Sequence, residues 1–347
     1  MQLDLVPLWA AILALGVFMY VLLDGFDLGV GILFPFAPDD RSRDLMMASV
    51  APIWDGNETW LVLGGIALLA AFPLGFAIII PAVYFPILFM LLGLIFRGVA
   101  FEFRHMSDRH KAWDVSFFGG SLVATFAQGL VLGTFVQGIP IAGRAYAGGS
   151  LDWATPFALL TAVGLIAGYA LLGACWLVMK TEDALKDWAC AKARLAAIGV
   201  AAFIGMVSIW TPLVQPHVAQ RWFAWPNLLW LSPVPIITLA LFVWLWRSLA
   251  ARRDVAPFIA AMSLFVMCYI GLGISIWPMV VPYTITLWAA ASASKAQGFL
   301  MIGTMFLLPI IVMYTAWSYW VFRGKVKADA GYHGDVSTSA AAPNRGQ

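Results

Sequence analysis

The chain has 347 residues, of which 62% are hydrophobic and 11% charged, and its mean hydropathy is +0.88. A soluble domain carries about 25% charged residues, so the composition excludes a water-soluble enzyme and places most of the chain in lipid. The net charge of +2 excludes little, because in a membrane protein the distribution of charge along the chain says more than the sum.

Nine membrane helices are predicted, over 8–34, 53–72, 76–103, 116–137, 155–179, 195–213, 227–247, 257–280 and 298–322. The first apolar run is long enough for a bilayer, which takes roughly 20 residues. No basic segment precedes it, so it reads as a retained span and not a cleaved signal peptide. Asp24 and Asp27 lie inside this run. A carboxylate within a membrane helix costs about 2.5 kcal/mol or more, so it normally faces the bundle interior and serves a function. Their i, i+3 spacing puts both on one helix face. Gly25 and Gly29 form a small-xxx-small pair that lets another helix come close.

The segment from Pro35 to Ala51 carries Asp39, Asp40, Arg41, Arg43 and Asp44. It reads as a short surface helix with Asp40 as its cap. The second span opens with Pro-Ile-Trp-Asp-Gly-Asn-Glu-Thr-Trp over 52–60. Asp55 and Glu58 have the spacing of a capping box. They also enter from the same side as Asp24 and Asp27, so four acids converge on one leaflet. Arg97 sits more than a turn inside the third span and either snorkels to the interface or pairs with one of these acids. Glu102 and Arg104 read as interfacial. Gln128 in the fourth span is a candidate for a helix-to-helix hydrogen bond. The remaining spans carry almost no ionisable residue and read as scaffold or partner interface. The expected division is a polytopic membrane domain over 1–323 and a disordered cytoplasmic tail over 324–347.

With the N-terminus outside, 17 of the 20 basic residues fall on the inner side, and only Arg144, Arg221 and Lys295 fall outside. That asymmetry orients the chain. Trp9, Trp153, Trp225, Trp246 and Trp320 lie near span ends, as an aromatic belt requires. Cys175, Cys190 and Cys268 are far apart and suggest neither a disulfide framework nor a cysteine metal site. His105, His110, His217 and His333 all lie outside the predicted spans. The chain is therefore not expected to ligate a buried haem through histidine. There is no phosphate-binding loop, dinucleotide turn or hydrolase motif, and no basic-aromatic patch for nucleic acid.

Three stretches together carry a resemblance. Leu-Asp-Gly-Phe-Asp-Leu-Gly-Val-Gly over 23–31, Trp-Asp-Gly-Asn-Glu-Thr-Trp over 54–60 and Arg-Gly-Val-Ala-Phe-Glu-Phe-Arg over 97–104 resemble the signature of subunit II of the cytochrome bd-type quinol oxidases, a class that includes the cyanide-insensitive branch. The resemblance spans the whole chain. It implies an all-α fold of two four-helix bundles plus a peripheral helix, in the bacterial inner membrane. It implies a haem-bearing subunit I as partner, holding two b-type haems and one d-type or b-type haem, with a small single-span subunit joining in part of the family. Lipid and quinol are the other partners, and a structural quinone is bound in some relatives. The complex oxidises a membrane quinol and reduces dioxygen to water, so protons must reach a buried site from the cytoplasm. On this resemblance Asp24 and Asp55 lead a proton path, Asp27 and Glu58 follow, and Arg97 is their charge partner. A proton-coupled secondary transporter is the competing reading. It is disfavoured because such carriers place matched broken helices at the midplane, whereas these acids lie toward one side.

Overall fold

The computed structural model describes residues 4–104, 106–107 and 110–326. His105, Arg109 and His333, and the expected tail beyond residue 326, lie outside the described residues.

The fold is helical almost throughout. Its first helix, α1 (Val6–Leu33), ends in a 3-10 turn over Phe34–Phe36. The surface helix α2 (Asp40–Val50) follows, then α3 (Trp54–Ala71), α4 (Pro73–Ala82), α5 (Tyr84–Phe103), α6 (His110–Gln137) and α7 (Pro156–Lys180). The second half comprises α8 (Asp183–Val214), α9 (Pro216–Phe223), α10 (Asn227–Leu231), α11 (Pro233–Ala250), α12 (Ala256–Ile276), α13 (Leu287–Ala290) and α14 (Ser294–Val321). Two small antiparallel hairpins join spans at one end: β1 (Ile141–Ala142) with β2 (Ala145–Tyr146), and β3 (Met279–Val281) with β4 (Ile285–Thr286). Among the described residues eight helical stretches are long and apolar enough to cross a membrane. The expected second span, α3, is a helix of 18 residues but falls outside that set, because its first turn is polar.

Several expected boundaries differ. The third span is interrupted at Val83. Pro86 has no N–H for the Ala82 carbonyl, and its ring would clash there, so the chain restarts as α5. The seventh span is broken at Ser232 for the same reason, because Pro233 has no N–H for the Leu229 carbonyl and its ring crowds that turn. The eighth span stops at Ile276 because the β3–β4 hairpin takes over. The cap of α2 is Asp39, not Asp40. The Asp39 carboxylate accepts from the Ser42 backbone N–H at 2.7 Å, and that bond lowers its pKa. Asp40 instead sits in the first turn, ion-paired with Arg43.

α1 is the central post, packed by α3, α6 and α7. A Cβ added at Gly29 would lie 1.8 Å from the Tyr169 carbonyl oxygen, and one at Gly173 would lie 2.4 Å from the Gly29 backbone. The backbones of α1 and α7 therefore touch, which only residues lacking a side chain allow. α5 meets α6 in the same way through Gly93 and Gly120. Aromatic rings fill the space beside these seams, with Phe26 stacked on Trp176 at 4.3 Å between centroids.

Candidate functional site

The side chains of Asp24, Asp27 and Arg97 are fully buried. One Arg97 nitrogen donates to Asp24 at 2.7 Å and lies 3.4 Å from the Glu58 carboxylate, and a second lies 3.8 Å from Asp27. Arg97 therefore pairs with the acids and does not snorkel. Three carboxyl groups from α1 and α3 surround one guanidinium from α5. The Trp54 and Phe101 rings flank that guanidinium at 5.9 and 5.8 Å and are themselves stacked at 5.0 Å. A guanidinium over ring faces is further stabilised by the ring quadrupoles.

Local sequence explains the placement. The close contact of α5 with α6 at Gly120, where an added Cβ would come within 2.8 Å of the Arg97 backbone nitrogen, draws Arg97 inward. At the head of α3 the N-cap is Ile53, with no side-chain cap bond. The capping-box expectation for Asp55 and Glu58 is therefore wrong: the chain becomes helical two residues earlier than such a box requires. Glu58 is free to reach Arg97, and Asp55 remains exposed at the surface, outside the cluster.

Asn57, buried between these two acids in the sequence, turns toward α1. Its amide donates to Asp27 at 2.6 Å and to the Leu23 carbonyl at 3.4 Å, and its oxygen accepts from the Tyr319 hydroxyl at 2.9 Å. Beyond Asp24, the Gln128 amide donates to the Tyr20 hydroxyl at 2.6 Å and accepts from the Tyr169 hydroxyl at 2.7 Å. Gln128 thus ties α6 to α1 and α7, as expected. Sequence reasoning missed Asn57, Tyr20, Tyr169 and Tyr319 as members of the site. Tyr20 carried a signal, standing four residues before Asp24 on the same face, and Asn57 stood within the motif. Nothing local marks Tyr169 or Tyr319.

Arg104 is nearly buried, 4% exposed, and binds Asp44 and Asp114 at 2.6 Å each. It fastens α5 to α2 and α6. Glu102 is exposed.

Asp24 Oδ2, Asp27 Oδ1 and the Arg97 Nε and Nη2 atoms are buried without a hydrogen-bond partner in the protein. The cluster therefore keeps spare capacity to donate and accept hydrogen bonds. Among the described residues no group of three or more His, Cys, Asp or Glu could hold a metal ion. The described histidines, His110 and His217, are exposed at the heads of α6 and α9. They do not fit the axial ligation of a haem buried among helices.

The sequence profile of the cytochrome bd terminal oxidase subunit II family matches residues 5–322. The chain belongs to that family. Subunit 2 of the cytochrome bd-I ubiquinol oxidase of Escherichia coli K12 is 29% identical, over 92% of this chain and 94% of its own length. Subunit 2 of the cytochrome bd ubiquinol oxidase of Bacillus subtilis is 27% identical, over 92% and 96%. The bd oxidase of Geobacillus thermodenitrificans contains a chain of the same fold, with a TM-score of 0.70 at 19% identity, covering 92% of this chain and 99% of that one. This cytochrome bd subunit II is accordingly a multi-pass protein of the bacterial inner membrane, from the family of a haem-containing oxidase complex, and membership implies a subunit I as partner.

Proposed function

We propose that this chain is the haem-free subunit II of a quinol:oxygen oxidoreductase of the respiratory chain, and that its acid cluster is part of the cytoplasmic proton-uptake path. The relatives' names support the first part. The second rests on one observation: a fully buried Arg97 gathers carboxyl groups from two other helices. Three carboxylates against one cation would leave uncompensated charge in a dry interior, which is costly. An excess of carboxyl groups over cations gives the cluster sites that can take up and release a proton. Exposure falls along one line, from exposed Asp55 through Glu58, 24% exposed at its side chain, to fully buried Asp24 and Asp27. That is the order of a path leading inward from water.

In this reading the N-terminus is outside, and subunit I holds the two b-type haems and the d-type or third b-type haem. A small single-span subunit joins in part of the family, and a structural quinone is bound in some relatives. The chain's own contribution is to hold and move protons between Asp55, Glu58, Asp24 and Asp27, with Arg97 keeping the group in place.

The test uses Asp24→Asn and Asp55→Asn variants of the assembled oxidase, checked by optical spectrum for full haem content. Loss of a positioned proton carrier is expected to slow oxygen consumption and proton uptake by about a hundred-fold at Asp24, and less at Asp55, where water can substitute. Unchanged rates of both in both variants would remove the relay. Cyanide titration of the same preparation assigns the branch.

A further inference from the structure

At the end of α11, a groove of about 470 Å³ is lined by Ala240, Val243, Trp244, Arg247, Ser248 and Arg253, with Ala251 at its lip. The local chain path builds it. Arg252 has a positive φ of 52°, and the backbone N–H groups of Arg252 and Arg253 donate to the carbonyls of Leu249 and Ser248 at 3.3 and 3.1 Å. This is a Schellman-type helix end, built with arginine where glycine is usual. It folds Arg253 back over the last turn of α11, beside Arg247 and Ser248, and it occupies the helix-end carbonyls.

Two features of this groove are unexplained by the fold. The first is charge. Neighbouring cations at this end of the bundle have partners: Lys186 and Lys325 bind Asp254, and Arg252 binds Asp187 at 2.9 Å. Arg194 donates to the Leu249 carbonyl at 3.1 Å. Among the described residues Arg247 and Arg253 have no acidic partner and no side-chain hydrogen bond. The second is Ser248. It is 2% exposed, yet its hydroxyl has no partner. A helical serine in apolar surroundings normally bonds back to the carbonyl four residues earlier, as Ser263 does to Ile259. One wall of the groove is Val243 and Trp244, which are exposed on a stretch long and apolar enough to cross a membrane.

We propose that this groove is a binding site for the phosphate of an anionic phospholipid. Two unpaired guanidinium groups supply the fork donors that suit phosphate oxygens, and the orphaned Ser248 hydroxyl supplies a third donor. Trp244 and Val243 receive the start of the acyl chains, and the indole sits at headgroup level. The partial negative charge of a helix C-terminus opposes an anion there, but it is about half a charge against two full positive ones. This end of α11 also lies on the face where most lysine and arginine gather, where anionic lipid is attracted.

The experiment uses the intact, haem-replete oxidase in detergent, with native mass spectrometry after stepwise delipidation. Phosphatidylglycerol and phosphatidylcholine are added back separately, and glycerol phosphate serves as a soluble control. Phosphatidylglycerol is expected to be retained preferentially. Arg247→Gln and Arg253→Gln are each expected to weaken its retention about five-fold, Ser248→Ala less, and Arg252→Gln, whose partner is Asp187, not at all. Equal retention of both lipids, or unchanged retention in Arg247→Gln and Arg253→Gln, would overturn the proposal. Equal binding of glycerol phosphate would replace it with a site for soluble phosphate. If a glutamine variant fails to assemble, the lysine variants at the same positions keep the charge. They should retain the lipid more weakly than wild type through loss of the fork, and full retention in them would count against the geometry.

Discussion

In α7, 61% of the most apolar stretch is buried within the chain, and in α6 50%; in α8 and α14 the figure is 11%, and in the α10–α11 stretch 6%. Hydropathy alone does not separate the two groups. What separates them is small residues and polar partners. In the first half, glycine seams bring backbones together, and the space they enclose holds the Arg97 cluster. In the second half, ionisable groups lie at the rims, and long apolar side chains such as Phe299, Phe306 and Trp317, each more than 60% exposed, face outward. The lesson is that burial of charge in this protein follows from close backbone contact. Helices that approach within a glycine's width exclude lipid, and the fully buried Arg97 pairs with Asp24 and Asp27 among them.

The seam between α1 and α7 is the most sensitive place in the fold. Gly29→Leu should prevent assembly, because the new side chain would start inside the Tyr169 peptide; expression and haem content report this. In contrast, Gly205→Ala and Gly303→Ala, where an added Cβ meets nothing within 4 Å, should assemble fully and gain up to about 1 kcal/mol in thermal unfolding. Next in size, Arg97→Gln leaves the three carboxyl groups without their cation and should cost about 3–5 kcal/mol, the range for breaking a buried pair. A stable Arg97→Gln protein of normal melting temperature would mean that the cluster is not held by charge. Asn57→Ala removes the donor to Asp27 and the acceptor for Tyr319, at about 1–3 kcal/mol. Tyr319→Phe should cost only about 1 kcal/mol, since one bond is lost and the ring stays. The smallest effect lies in the second half. Hydrogen bonding from Lys186 holds the Asp254 carboxyl below its usual range. A group depressed on folding contributes stability above its ordinary pKa and loses it as pH falls through the folded value. Thermal scans below about pH 4 should therefore show a slight loss that Asp254→Asn abolishes and that salt also reduces.

The sequence made the membrane class, the positions of most helices and the candidacy of Asp24, Asp27 and Arg97 legible, because intramembrane charge is rare, but it left open whether Arg97 pairs with an acid or snorkels. The capping box at Asp55 and Glu58 misled because capping depends on where the helix starts, and Ile53 starts it. Proline breaks at Val83 and Ser232 were visible as prolines but not as breaks, since hydropathy runs through them. Tyr169 and Tyr319 joined the site through helix packing, to which no local pattern points. The role of Arg104 as a fastener was not legible because its partners, Asp44 and Asp114, lie 60 and 10 residues away.

α14 touches the rest of the chain sparsely along its length, yet both its ends are fastened. At one end the Trp9 indole donates to the Gln297 carbonyl at 3.3 Å and the Ser292 N–H to the Ala71 carbonyl at 2.9 Å. At the other, the Lys180 ammonium donates to the carbonyls of Phe322 and Gly324. A rod clamped at two points has already lost its rotational and translational freedom. Whatever apolar surface settles on its open flank therefore meets a rail that is already rigid, and little further ordering is set against the packing made there.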